Sequence, residues 1–70
     1  MEKVKIDTEF IKLDSFLKWC NVVGSGAEAK MVVQDGLVYV NGEVCTQRGK
    51  KLRAGDTVKF DSNEYEIINK

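Results

Sequence analysis

Two hydrophobic periods alternate along the chain. Val4 and Ile6 are interleaved with Lys3, Lys5 and Asp7, the every-second-residue pattern of a short half-buried strand or extended arm. From residue 13 the spacing lengthens. Leu13, Phe16, Leu17 and Cys20 fall at i, i+3, i+4 and i+7, the apolar stripe of an amphipathic helix. Asp14 stands where a carboxylate accepts free amide N–H groups of a first turn, so the spacing predicts a helix over residues 13–22.

Gly24-Ser25-Gly26 then interrupts the chain, and Ser25 followed by Glu28 matches the capping box, in which hydroxyl and carboxylate each satisfy a backbone donor. Ala29, Val32 and Val33 supply the buried stripe of a second helix over 26–35, and Ala27, Lys30, Met31 and Gln34 fall on another face. Gly36 suits the left-handed residue that ends a helix. The two helices therefore meet at a tight glycine corner, with the amino end of the second pointing outward.

Beyond Gly36 the period returns to two. Leu37 to Val40 reads as a strand, Asn41-Gly42 as a two-residue hairpin turn, and Glu43-Val44-Cys45 as the returning strand. Ala54-Gly55-Asp56 turns again, Thr57 to Phe60 reads as a strand, Asp61-Ser62-Asn63 as a turn, and Tyr65, Ile67 and Ile68 as a last strand. The fold class is α+β: a short N-terminal strand, then two helices packed on a small antiparallel sheet. Residues 1–70 are expected to form a single domain without repeats or low-complexity segments.

Composition narrows the function classes. The 70 residues contain no histidine and two cysteines, Cys20 and Cys45, which are too far apart in sequence for a C-x-x-C pair. Both read as reduced thiols in a cytoplasm, with no metal site and no nucleophile–histidine pair. The eleven carboxylates are scattered over surface and turn positions, so no enzyme is expected. The first ten residues, MEKVKIDTEF, carry alternating charges rather than the apolar run of a signal peptide or membrane span. A cytoplasmic protein is the expectation.

Charge distribution changes the picture more than net charge does. The formal net charge is zero, yet Arg48, Lys50, Lys51 and Arg53 crowd four of the eleven cationic residues into six positions. The remainder of the chain therefore sums to −4, and one basic face should stand against an acidic remainder. Charge runs are commonly solvated surface. This one lies between strands rather than in a tail, and arginine planes both pair with phosphate and stack on bases. Gly24-Ser25-Gly26 has two readings as well: a corner with a capping serine, or a helix start whose N–H groups face a phosphate, with Lys30 and Gln34 on the same track. Trp19 and Tyr39 lie in periodic segments, where core packing is the simpler expectation than base stacking.

Three stretches in this order, "KLDSFLKW", "GSGAEAKMVVQDGLVYVNGEV" and "RGKKLRAGD", resemble the successive blocks of the S-four RNA-binding domain, the αL motif first described in ribosomal protein S-four. The resemblance covers about residues 10–60 and is nearest to free-standing single-domain bacterial members. It implies a groove for structured RNA, ribosomal or transfer RNA, bordered by the second helix and by the segment after the hairpin. Carried over by motif, the RNA-binding residues are Ser25, Lys30 and Gln34 from the helix, Asn41 from V-N-G, and Arg48, Lys50, Lys51 and Arg53 from the basic segment. Many relatives have an arginine where this chain has Gly26-Ala27, which weakens the helix corner and shifts the burden to the basic segment.

The function that follows is a non-enzymatic RNA-binding accessory of ribosome assembly or rescue. It has no cofactor, no small-molecule substrate and no membrane partner, and a monomer is expected. Two alternatives keep the same fold: a protein-interaction adaptor that docks through the acidic remainder, and a DNA-directed accessory of replication or repair.

Overall fold

The period-two segments become strands and the helical stripes become helices in the computed structural model, which describes residues 1–69. In chain order these are β1 (Glu2–Ile6), β2 (Ile11–Lys12), α1 (Leu13–Trp19), α2 (Gly26–Gln34), β3 (Val38–Val40), β4 (Glu43–Val44), β5 (Lys51–Leu52), β6 (Thr57–Phe60) and β7 (Asn63–Asn69). Five strands form one sheet in the order β1-β7-β6-β3-β4, and β2 pairs with β5 in a separate two-stranded ladder.

The main sheet is mixed rather than wholly antiparallel. β1 runs parallel to β7, with Val4 opposite Ile67, whereas β7, β6, β3 and β4 pair antiparallel. A parallel neighbour requires a long crossover, and here nearly the whole chain, both helices included, intervenes between β1 and β7. The alternation at Val4 and Ile6 identifies a strand but not its partner.

Burial follows the alternation closely. Val4, Ile6, Val38, Val40, Val58, Tyr65 and Ile67 are the buried positions of the sheet. Leu13, Phe16 and Leu17 of α1 and Ala29 and Val33 of α2 join them in one core. Phe16 meets Tyr65 edge to face, with ring centroids 5.9 Å apart and planes at 81°. No polar or charged side chain is buried among the described residues, so their charges all act at the surface.

α1 is shorter than its stripe predicts, ending at Trp19 instead of continuing to residue 22. The cause is Asn21, which adopts φ 60°. Its N–H donates to Lys18 O and the Val22 N–H donates to Leu17 O, the paired bonds of a Schellman ending. Gly36 ends α2 in the same way at φ 74°, with Gly36 N–H on Val33 O and Leu37 N–H on Val32 O. Asparagine tolerates the left-handed region, so the same motif closes both helices with different residues.

Two aromatic expectations are corrected. Trp19 is 66% exposed and Tyr39 is 40% exposed, so neither packs in the core. Trp19 falls outside the Leu13–Phe16–Leu17 stripe of α1, and Tyr39 lies between buried Val38 and Val40, where alternation turns it to the outer face.

Candidate functional site

One apolar residue anchors the basic run. Within Arg48–Arg53 only Leu52 is buried, and it is completely buried. Its strand β5 pairs with β2, placing Ile11 opposite Leu52 and Lys12 opposite Lys51. Two carbonyls of the run then point inward: Lys50 O accepts the Leu13 N–H at 2.9 Å and Arg48 O accepts the Asp14 N–H at 3.0 Å. These donors belong to the first turn of α1, whose N-cap residue, Lys12, provides no side-chain cap. Asp14, expected to cap this end, accepts only the neighbouring Ser15 N–H, at 2.8 Å. The run thus caps α1 with its backbone, while the side chains of Arg48, Lys50, Lys51 and Arg53 all remain exposed.

Asp56 fixes the far end of the run. Its Oδ2 accepts the Arg53 N–H at 2.8 Å, and its Oδ1 accepts from the Asn41 side-chain amide at 3.1 Å. Asn41 Oδ1 in turn accepts the Thr57 N–H at 2.9 Å. Both ends of the Asn41 amide are therefore engaged, and at φ 53° it also shapes the β3–β4 turn with Gly42 at φ 87°. Asn41 holds the hairpin turn to the end of the basic run. It is a positioning residue in this arrangement.

The strand pairing reveals a cation that motif reasoning missed. Lys12 is exposed and directly opposite Lys51, and facing residues of an antiparallel pair project to the same side. Like charges so placed repel one another, and an anion between them relieves that repulsion. Lys51 Nζ also lies 4.9 Å from the centroid of the Phe10 ring. A two-residue strand is too short to show a period, so although the block KLDSFLKW begins with Lys12, nothing in the sequence shows that it faces Lys51.

The second helix presents a different environment. Ser25 Oγ accepts the Glu28 N–H at 3.1 Å, as the capping box expects, whereas Glu28 Oε1 reaches one residue further back and accepts the Gly24 N–H at 2.8 Å instead of the N-cap N–H. Glu28 places its carboxylate at the positive end of α2, where an incoming phosphate would sit. Lys30 and Gln34 are exposed further along the helix. α2 packs on α1, and the basic run is fixed to the amino end of α1, a helix of seven residues and about 10 Å. Lys12, Arg48, Lys50, Lys51 and Arg53 are thus gathered around β2, β5 and that helix end. Ser25 caps α2 and Lys30 and Gln34 lie on it, the helix that packs on α1.

The other reactive side chains offer little chemistry. Burial, with a smaller contribution from the Glu2 charge, pushes the Cys20 thiol up to about 11, away from nucleophilic thiolate. Tyr65 is likewise raised, mainly by burial. Cys20 and Cys45 are both free, and Cys45 Sγ lies 3.6 Å from Gln47 O. Among the described residues there is no cluster of three or more His, Cys, Asp or Glu side chains able to hold a metal ion. No helix among them is long and apolar enough to cross a membrane.

Comparison with known proteins places these elements in a family. The S4 domain profile matches residues 4–68. The chain is 39% identical over 67 residues to the probable ribosome maturation protein RlbA of Bacillus subtilis (strain 168), covering 94% of each. It is 41% identical over 65 residues to an uncharacterised RNA pseudouridine synthase of Aquifex aeolicus (strain VF5), where the match covers 93% of this chain but only 21% of that protein. The solution structure of YbcJ from E. coli, described as revealing an αL motif involved in RNA binding, superimposes with a TM-score of 0.73 at 30% identity, covering 97% of this chain and 87% of that one. With the two helices, the β3–β4 hairpin and the anchored basic run in their expected order, the chain belongs to the S4 domain family.

Proposed function

We propose that residues 1–70 act as one RNA-binding unit in the cytoplasm, gripping structured ribosomal or transfer RNA without catalysing a reaction on it. The observation that carries this reading is the arrangement of the basic run: carbonyls of Arg48 and Lys50 face α1, Leu52 is buried, and four cations face solvent. Cations held on a fixed backbone lose less freedom on meeting phosphates than the same residues in a tail. Lys12 adds a fifth charge, and Lys30, with Ser25 and Gln34 beside it, offers a second contact on α2.

A-form RNA hides its base edges in a deep major groove, so a shallow cationic surface recognises shape, bends and loops rather than paired sequence. About five neutralised phosphates give a log–log salt slope of roughly −4. The likeness to the ribosome maturation protein along nearly the whole chain supports ribosomal RNA as the target and ribosome maturation as the process. The pseudouridine synthase shares only the portion of its length that this chain spans, which supports a role without catalysis.

The test is the triple variant Lys50→Ala/Lys51→Ala/Arg53→Ala, measured on a ribosomal stem–loop. At about 1 kcal/mol per contact the loss is roughly a hundredfold, and the salt slope falls to roughly −2. Wild-type affinity in this variant at moderate salt refutes the reading. Tighter binding to duplex DNA than to the stem–loop at equal salt redirects it to DNA.

A second reading rests on an exposed apolar patch at the β3–β4 edge of the main sheet. Leu37, Tyr39 and Val44 are all at least 40% exposed, and Tyr39 and Val44 are direct partners across β3 and the edge strand β4. Such a patch fits a protein partner. A partner retained after nuclease treatment, and lost in Val44→Lys, would favour it.

A further inference from the structure

The exposed Trp19 borders a cleft of about 330 Å³ that also takes in Ile6, Asp7, Phe10, Ile11 and Lys12. From this juxtaposition we infer that the cleft is a stacking subsite for one unpaired nucleobase of the bound RNA, an inference that rests on the RNA-binding reading above.

Three observations point to that occupant. The first is continuity: Lys12 lines the cleft and is also the register partner of Lys51, so a strand whose phosphates follow the basic run arrives at the mouth of the cleft. Phe10 makes the same connection, since it lines the cleft while Lys51 Nζ lies 4.9 Å from its ring centroid. The second is the nature of the walls. Aromatic and aliphatic side chains dominate, and a π-face with an adjacent cation suits a flat base attached to a phosphate. The third is size, because the volume sits at the low end of the roughly 300–1,000 Å³ typical of small-molecule sites and suits a single nucleoside.

Asp7 is the one acidic group on the cleft. Its carboxylate repels a phosphate and accepts hydrogen bonds from base amino or imino groups. It therefore turns the base inward and leaves the phosphate with Lys12 and Lys51. Guanine, whose pairing edge offers an imino and an amino donor side by side to the two carboxylate oxygens, should be preferred over uracil, which offers a single imino N–H, at the unpaired position.

Trp19 is the only tryptophan, so its fluorescence reports the site directly. The experiment titrates the protein with two RNAs of equal length at equal salt, a stem–loop carrying one bulged guanosine and the same stem–loop without the bulge. Stacking is expected to quench Trp19 emission with the bulged RNA. Trp19→Ala should lose about tenfold in affinity for it while changing less than twofold on the unbulged RNA, and Trp19→Phe should retain most of the affinity. Because Trp19 is exposed, Trp19→Ala is expected to fold, which its thermal unfolding checks. Equal losses on both RNAs, or no loss and no quenching with the bulged one, overturn the subsite. In that case the hundredfold effect of the lysine–arginine triple variant stands on its own. Failure of the wild-type chain to bind either RNA overturns both readings.

Discussion

The corner at Gly24–Gly26 and the run from Arg48 to Asp56 are both polar interruptions between regular elements, yet they are held in opposite ways. The corner is self-contained: Ser25, Glu28 and Gly24 satisfy one another within five residues. The run is held by distant partners. Its carbonyls bond the start of α1, its Leu52 enters the core, and Asp56 ties its end to Asn41, fifteen positions earlier in the chain. The electrostatic outcome differs too. At the corner an acidic side chain occupies the positive end of the helix, whereas in the run backbone oxygens do the capping and every cation is left free to face solvent. Of two segments that both look like anion sites in sequence, only the one anchored from elsewhere presents unopposed charge.

The largest effect expected from breaking this contrast comes at Asp56. Its carboxylate accepts two hydrogen bonds at a half-buried position. Asp56→Ala removes both and should cost about 2 kcal/mol, or roughly 10 °C in Tm, in a domain of this size. The RNA result has a diagnostic sign. If Asp56 acted only as a negative charge near the cations, its removal would tighten binding. If it holds the run in place, binding weakens despite the gained positive charge. We expect weakening, by about tenfold, in a titration at fixed salt with the fraction folded confirmed. Tighter binding would show that the cations need no clasp.

That long-range clasp marks the limit of what could be seen in the sequence. The Ser25 cap, the left-handed Gly36 and the Asn41-Gly42 turn depend on residues within a few positions of one another, and each forms as its spacing implies. The Leu13–Phe16–Leu17 stripe likewise gives α1 its buried face. Contacts between distant segments leave no such period. The parallel docking of β1 on β7, the pairing of Lys12 with Lys51, and the capping of α1 by Arg48 and Lys50 all depend on how the chain returns upon itself. Trp19 departs from the expectation of burial for a different reason. An aromatic residue in a helix invites an assumption of burial, although its position outside the stripe already argued against it.

A smaller effect is expected at the corner. Ser25→Ala removes the hydroxyl that accepts the Glu28 N–H and should cost about 1 kcal/mol of stability, read from urea unfolding. RNA affinity should change by less than about threefold, because the basic run is fixed to other elements and does not feel the loss. A tenfold drop would mean that Ser25 contacts the RNA strongly and that the two segments share the load.

The finest distinction lies in the charge of Glu28. Glu28→Gln keeps an oxygen to accept the Gly24 N–H but removes the carboxylate from the positive end of α2. Stability should fall by about 0.5 kcal/mol as the favourable interaction with the helix dipole is lost. Removing a negative charge from the amino end of α2 should at the same time raise RNA affinity about twofold at low salt. At 0.5 M salt the gain should vanish, since screening shortens the reach of an exposed charge to a few ångströms. A gain that persisted at high salt would require a direct contact made by the glutamine itself. No gain at any salt would place the RNA beyond reach of this helix end and leave binding to the anchored cations around β2 and β5.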